Sequence, residues 1–101
     1  MVGEPDDIAP KYIEWDDEVR AHIARHSLEP EDIEAALRGS PRFFRNLPGR
    51  TATHVMLGYD GQGRALYVAL SQVDADKWVV VTAWQSRLAR RLLQDEEESG
   101  Q

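Results

Sequence analysis

The chain has 101 residues, a hydrophobic fraction of 42% and a formal net charge of −6, which fits one small domain and excludes a wholly disordered chain. No apolar run approaches the roughly 20 residues of a membrane helix, and the opening MVGEPDDIAP has no basic or apolar signal region, so we expect a cytoplasmic protein without a membrane partner. The absence of cysteine excludes disulfides, thiolate catalysis and cysteine zinc sites.

The N-terminal half predicts a short strand followed by two helices. The strand is expected over Tyr12–Trp15, and Asp16 is a natural cap for a helix that runs to about His26. Pro30 then opens a second helix, because proline is favoured in a first helical turn, and Gly39 ends it.

From residue 42 the apolar residues alternate with a period of two, which predicts four strands. They are expected over Arg42–Leu47, Thr51–Tyr59, Arg64–Ser71 and Lys77–Trp84. The run Val79–Val81 indicates a central strand buried on both faces, and Ser86 caps a last helix. The order β-α-α-β-β-β-β-α predicts an α+β domain with a mostly antiparallel sheet of four to five strands.

Composition predicts a central domain with an acidic segment at each end. Residues 1–10 are expected to form a flexible acidic arm, residues 11–94 the domain, and residues 95–101 an acidic tail. The middle of the chain is basic and carries Arg38, Arg42, Arg45, Arg50 and Arg64. Such a surface suits phosphate. The alternative interpretation is that the acidic ends serve only to keep the domain soluble.

A different short motif lies at each of several transitions between predicted elements. The first strand ends in Trp15-Asp16, the first helix ends in Arg25-His26-Ser27, the second helix begins with Glu31-Asp32, and Gly58 and Gly63-Arg64 precede a strand rich in Leu and Val. Over about residues 12–93 these motifs resemble the BrnT-type toxins, a branch of the RelE-like endoribonucleases of bacterial toxin–antitoxin pairs. The end of the last strand, residues 80–84, is similar to a related group of RelE-like domains.

The chain departs from these toxins mainly at arginine positions. BrnT-type toxins usually end the last strand in Ile-Ser-Ala-Arg and carry an earlier arginine on it, where this chain has Trp84 and Val79. Arg25 and Ser27 replace the Lys and Gly of a Lys-His-Gly motif, whereas Arg64 is retained. These departures concern catalysis more than the fold.

The resemblance implies a toxin that cleaves mRNA, free or ribosome-bound, without a metal or other cofactor. It also implies a cognate antitoxin as partner, and a homodimer or a heterotetramer with the antitoxin as the assembly. Such cleavage needs a group that helps the 2′-hydroxyl attack phosphorus, cations for the phosphoryl charge, and an acid for the leaving 5′-oxygen.

The candidate catalytic residues are His26, Arg64 and His54. The alternative role of His26 is a histidine at the edge of the core, and that of Arg64 is a solvated charge at the sheet edge. His22 and His26 have the spacing of metal ligands, but no third ligand is evident. The candidate RNA-binding residues are Arg25, Arg45, Arg50, Tyr67, Trp84 and Arg87.

Strand alternation suggests a shared aromatic face. If Leu66, Val68 and Leu70 face the helices, then Tyr67 faces away, and Trp78, Val80, Thr82 and Trp84 share one face of their strand. A face bearing His54, Tyr67, Trp78 and Trp84 could stack RNA bases. The same rings could instead bury a second small core or a partner interface.

Two alternatives to the toxin remain open. One is a non-catalytic RelE-fold module that binds a protein, which the missing strand arginines favour. The other is a stand-alone interaction domain whose acidic ends compete with nucleic acid.

Overall fold

Three helices and a five-stranded sheet form one α+β unit, which confirms the predicted class and order of elements. The computed structural model describes residues 3–6, 8, 10 and 12–99, with side chains as far as residue 95. In chain order the elements are β1 (Ile13–Glu14), α1 (Asp17–Ala24), α2 (Pro30–Arg38), β2 (Arg42–Arg45), β3 (His54–Tyr59), β4 (Ala65–Gln72), β5 (Trp78–Gln85) and α3 (Arg87–Ser99).

The strands lie in the spatial order β1-β5-β4-β3-β2. β2 to β5 are antiparallel neighbours, and β1 pairs in parallel with β5, with Ile13 opposite Trp78. β1 and β2 are therefore the two edges of the sheet, and β4 is its middle strand.

Local sequence signals fix the ends of the helices. The Asp16 carboxylate accepts a 2.8 Å hydrogen bond from the Val19 N–H at the start of α1. Pro30 begins α2, whose Glu29 and Asp32 form a capping box, and Gly39 ends it. At the start of α3 the Ser86 hydroxyl accepts from the Ala89 N–H at 3.1 Å. Each cap satisfies an N–H group that has no partner within the helix.

The two faces of the sheet are covered unequally. α1 and α2 pack on one face, where Ile23, Leu28 and Ile33 meet the β4 residues Leu66, Val68 and Leu70 in the larger core. α3 packs on the other face, where Ala89 and Leu93 meet Val55, Leu57 and Ala65. α3 contacts β3 and β4, so the part of this face that β5 contributes is left partly open.

β5 is an inner strand with a neighbour on each side, but the expectation that Val79–Val81 are buried on both faces is wrong. β5 lies beside the two-residue strand β1 rather than in the middle of the sheet. Val80 is buried under the helices, but Val79 and Val81 are only partly buried because α3 does not cover them. The valine run therefore reflects strand propensity rather than burial on two faces.

The described parts of the predicted arm and tail have definite structure. Residues 3–6 lie along β2, where Pro5 bridges Phe44 in antiparallel register. α3 continues to Ser99 and so includes most of the stretch that the sequence predicted to be a tail. None of the helices in the described part of the chain has the length and apolar character that crossing a bilayer requires.

Ser27 adopts a left-handed backbone conformation after α1, with φ of 61°. Only glycine adopts this conformation without steric cost. The free energy of unfolding of Ser27→Gly should therefore exceed that of the native chain by about 1 kcal/mol. Urea unfolding measures it, with Ser27→Ala as the matched control, since alanine keeps the Cβ and gains nothing. An equal gain in both variants would contradict the strain at this position.

Candidate nucleic-acid interface

A groove of about 370 Å³ lies on the part of the sheet that α3 leaves open. β4 and β5 form its floor, and the connection between β2 and β3 forms one wall. The lining residues are Asn46, Arg50, Thr51, Ala52, Tyr67, Ala69, Val81, Thr82 and Trp84. The groove therefore combines aromatic surface, hydroxyl groups and one cation.

Tyr67 and Trp84 stack on each other on the floor of this groove. They are direct cross-strand partners on β4 and β5, and their ring centroids lie 4.5 Å apart with an interplanar angle of 18°. Burial raises the pKa of Tyr67, an effect that outweighs the opposing charge of Arg50. The phenol therefore keeps its proton at neutral pH.

The wall that carries Arg50 is held by hydrogen bonds of Asn46. Its side-chain amide donates to the Ala52 carbonyl at 3.0 Å, and its side-chain oxygen accepts from the Leu47 N–H at 2.8 Å. Gly49 permits the tight turn with φ of 82°. These contacts hold the exposed Arg50 at the groove, close enough for its charge to act on Tyr67.

A β-bulge decides which side chains of β5 reach the groove. Ala69 pairs with Thr82 and Leu70 with Val80, so Val81 has no partner on β4. The extra residue reverses the alternation along β5. Trp78 and Val80 consequently lie in the core under the helices, whereas Thr82 and Trp84 line the groove.

The predicted face shared by His54, Tyr67, Trp78 and Trp84 is therefore wrong. The structure divides the four rings into two pairs on opposite faces. Tyr67 stacks on Trp84 in the groove, while His54 meets the buried Trp78 edge-to-face with centroids 4.9 Å apart.

Arg64 is held by three contacts from three different segments. Its Nε lies 2.6 Å from Asp60 Oδ2, its Nη2 lies 3.3 Å from Asp32 Oδ2, and its Nη1 donates to the Ser27 carbonyl at 3.1 Å. All three guanidinium nitrogens thus have partners within the chain. This arrangement joins the end of α1, the start of α2 and the β3–β4 turn, which is a structural role.

The carboxylate of Asp60 is buried behind Arg64. Burial alone would raise the pKa of Asp60. The pKa is nevertheless held below its ordinary value, because the carboxylate accepts hydrogen bonds from the Arg64 N–H, the Arg64 guanidinium and the Gln62 N–H, and because Arg64 is positively charged. Asp60 is therefore the ionised anchor of this cluster at neutral pH.

His54 lies at the opposite end of the β3–β4 pair from Arg64. It pairs with Leu70, six residues along β4 from Arg64, which separates the two by about 20 Å. Its Nε2 lies 2.9 Å from Asp6 Oδ2, and its Nδ1 lies 2.9 Å from the Thr53 hydroxyl. The hydrogen bond to His54 and the charge of Arg45 lower the pKa of Asp6 despite the opposing effect of its burial.

The remaining predicted residues are dispersed. Arg25 and His26 are exposed in the turn after α1, where the His26 ring contacts His22 at 5.5 Å between centroids. Arg87 lies at the start of α3 in a separate depression with Arg90, and Arg45 is exposed beside Asp6. Within the described residues, no three metal-binding side chains come together.

Of the nine predicted site residues, the groove brings together Arg50, Tyr67 and Trp84. His26, His54 and Arg64 do not meet one another or the groove. The sequence-based reasoning missed Asn46, Thr51 and Thr82. Asn46 follows β2 and sits before Pro48-Gly49, a turn signal that could have indicated a loop held by a side-chain amide.

No protein-family model, no curated protein and no solved structure matches the chain. A function for the chain is therefore inferred from its own geometry.

The proximity of Arg50 to Tyr67 can be tested by titration. A difference titration of tyrosinate absorbance between the protein and Tyr67→Phe should place the ionisation of Tyr67 above its ordinary value of 10.0. Arg50→Ala should raise the pKa of Tyr67 further, because it removes the charge that favours the phenolate. Arg20→Ala, which removes an exposed arginine of α1, should leave the pKa unchanged. If Arg50→Ala has no effect, Arg50 does not act on the groove.

The Arg64 cluster predicts a pH-dependent stability. Asp60→Asn keeps the oxygen that accepts the backbone N–H groups but removes the charge facing Arg64, so it should cost about 2 kcal/mol of unfolding free energy at pH 7. Because the pKa of Asp60 is lowered in the folded state, its stabilisation is present above the ordinary value of 3.8 and is lost as the pH falls through the lowered pKa.

Urea unfolding at pH 7 and at pH 2.5 should show this difference shrinking in acid. Asp76→Asn, at an exposed turn, is the control and should change little at either pH. A loss of the same size at both pH values would show that the Asp60 charge is not its cause.

Proposed function

We propose that the chain is the toxin of a bacterial toxin–antitoxin pair, a RelE/BrnT-like endoribonuclease that cleaves single-stranded mRNA without a metal. The observation that carries the proposal is the groove in which Arg50 lies beside the stacked pair Tyr67 and Trp84. The motifs shared with BrnT-type toxins support it as well. The proposal includes a cytoplasmic location and an antitoxin protein as partner.

The groove has the features of a site for single-stranded RNA. A base can stack on the exposed part of Trp84, a contact worth about 1–3 kcal/mol that accepts any base. Arg50 supplies the positive charge for the adjacent phosphate. Thr51 and Thr82 offer hydroxyls for hydrogen bonds to the sugar or base edge. The half-open sheet gives an extended strand room to lie across β4 and β5.

The same side chains suit part of the cleavage chemistry. The 2′-oxygen of RNA attacks the adjacent phosphorus, its proton passes to water, and the bond to the 5′-oxygen breaks. Arg50 would stabilise the charge on the phosphoryl oxygens. Tyr67, which is protonated at neutral pH, would donate its proton to the leaving 5′-oxygen, although its raised pKa makes it a weaker acid than an ordinary tyrosine. The products are a 2′,3′-cyclic phosphate and a free 5′-hydroxyl.

A non-catalytic binding module is the second candidate. Trp84 and Val79 stand where the resembled toxins carry arginine, and the Arg64 side chain is engaged by Asp60, Asp32 and Ser27. None of the described residues that line the groove is a histidine. A groove with one arginine and an aromatic pair also suits a protein ligand, because interfaces are enriched in tyrosine, tryptophan and arginine.

Variants of the groove should separate binding from cleavage. Single-stranded RNA incubated with the purified chain and a chelator should give ends with 2′,3′-cyclic phosphate. Trp84→Ala should weaken RNA binding by about 5- to 150-fold through lost stacking. Tyr67→Phe keeps the ring and should slow cleavage more than it weakens binding. Fluorescence anisotropy and gel analysis of end-labelled RNA measure the two effects.

Arg20→Ala is the matched control for Arg50→Ala, because it removes the same charge from the exposed surface of α1. Only Arg50→Ala should impair binding and cleavage. RNA that is bound in the groove but never cleaved would rule out the ribonuclease. A chain that neither binds RNA nor arrests growth when expressed without a partner would rule out the toxin.

A further inference from the structure

The outer edge of β2 is occupied by a short segment from the start of the chain, Gly3–Asp6. Three backbone hydrogen bonds hold it: Gly3 N–H to Arg45 O at 2.9 Å, Arg45 N–H to Glu4 O at 2.8 Å, and Asp6 N–H to Phe43 O at 2.9 Å. The segment runs antiparallel to β2, as an added edge strand does. The segment therefore provides hydrogen-bond partners for backbone N–H and C=O groups of β2 that would otherwise be unpaired at the sheet edge.

Two of its four residues fit the edge closely. A Cβ on Gly3 would lie 2.4 Å from the Arg45 carbonyl oxygen, so no larger residue fits without a backbone shift. Three positions later, the Asp6 carboxylate lies between His54 Nε2 at 2.9 Å and Arg45 Nε at 3.4 Å. The edge thus selects a small residue at one position and a carboxylate at the other.

Within Gly3–Asp6 little else holds the segment to the sheet, and the next apolar anchor along the chain is Ile8, which packs against the larger core. Glu4 and Pro5 are exposed, and the segment buries no apolar side chain. Its attachment rests on a few backbone hydrogen bonds and the Asp6 contacts. Segments of this kind open at low free-energy cost, because little apolar surface must be exposed.

We propose that the β2 edge is a binding site for an extended acidic peptide of a partner protein, and that Gly3–Asp6 is an exchangeable occupant built into the chain. The peptide adds as a strand to β2 and carries a glycine followed three residues later by an aspartate. Backbone hydrogen bonds provide affinity and the two selective positions provide specificity, as in other strand-addition complexes.

Charge complementarity identifies the occupant as acidic. Arg42 and Arg45 flank the edge, and His54 lies beside it. The built-in segment supplies Glu4 and Asp6 opposite them. The site does not depend on RNA binding, because the Asp6 slot beside His54 is separate from the groove that holds Tyr67 and Trp84.

The experiment uses the full-length chain and a labelled synthetic peptide of sequence VGEPDDI, which copies residues 2–8. In the double variant Gly3→Ala, Asp6→Ala the built-in segment should no longer compete. This variant should bind the peptide at least about tenfold more tightly than the native chain, in which the tethered segment has a millimolar effective concentration. Peptides with the glycine changed to alanine, or the first aspartate to asparagine, should bind at least about tenfold more weakly.

His54→Ala in the double variant should abolish the preference for the aspartate peptide over the asparagine peptide. Glu31→Ala in the native chain is the control for the double variant, because it removes a carboxylate that lies away from the β2 edge. Circular dichroism checks the fold of each variant. Equal binding of all peptides would show that neither position is selective and would overturn the proposal, as would no binding at all. Concentration-dependent dimers of the native chain would make a second copy the occupant, which also overturns it.

Hydrogen exchange on the native chain gives an independent test that needs no variant. The Arg45 N–H, which donates to Glu4, should exchange much faster than the amides of β4, because the segment opens locally. Protection of the Arg45 N–H equal to that of β4 would show a fixed sixth strand and would overturn the proposal.

Discussion

The bulge at Val81 is the constraint on which the candidate site depends. Without the extra residue, strict alternation would place Thr82 and Trp84 on the same face as Trp78, under the helices. The bulge instead sends Trp78 into the core and Trp84 onto the open face, opposite Tyr67. The single unpaired residue therefore lets β5 place one tryptophan in the core and another in the groove. Bulges are common beside functional sites because they re-aim side chains in this way.

Arg64 has a structural role, because its contacts hold separate parts of the fold together. Its partners Asp60, Asp32 and Ser27 belong to three segments that are distant in sequence. Losing Arg64 would leave the buried Asp60 carboxylate without its charged partner, which is costly in a protein interior. An inactive Arg64 variant would consequently say little about catalysis, because damage to this cluster would have the same effect. Arg50, Tyr67 and Trp84 are more informative positions for activity.

The sequence predicted the features that local chemistry controls. The caps at Asp16 and Ser86, the proline start of α2 and the glycine end of that helix depend on residues within one turn, and all were confirmed. The bulge was not predictable. The sequence of β5 is compatible both with strict alternation and with a one-residue slip, and only its pairing with β4 distinguishes the two. The partners of Arg64 were not predictable either, since they depend on how α2 packs beside the β3–β4 turn.

The start of the chain adds backbone pairing at both sides of the sheet. Residues 3–6 pair with β2, and β1 pairs with the last strand, β5, so that Ile13 meets Trp78. Both contacts join residues far apart in sequence, which raises the contact order of the fold and slows its formation. During synthesis β1 must wait until β5 has left the ribosome before it finds its partner. Until then β1 has no partner, and this leaves the nascent chain prone to wrong pairing.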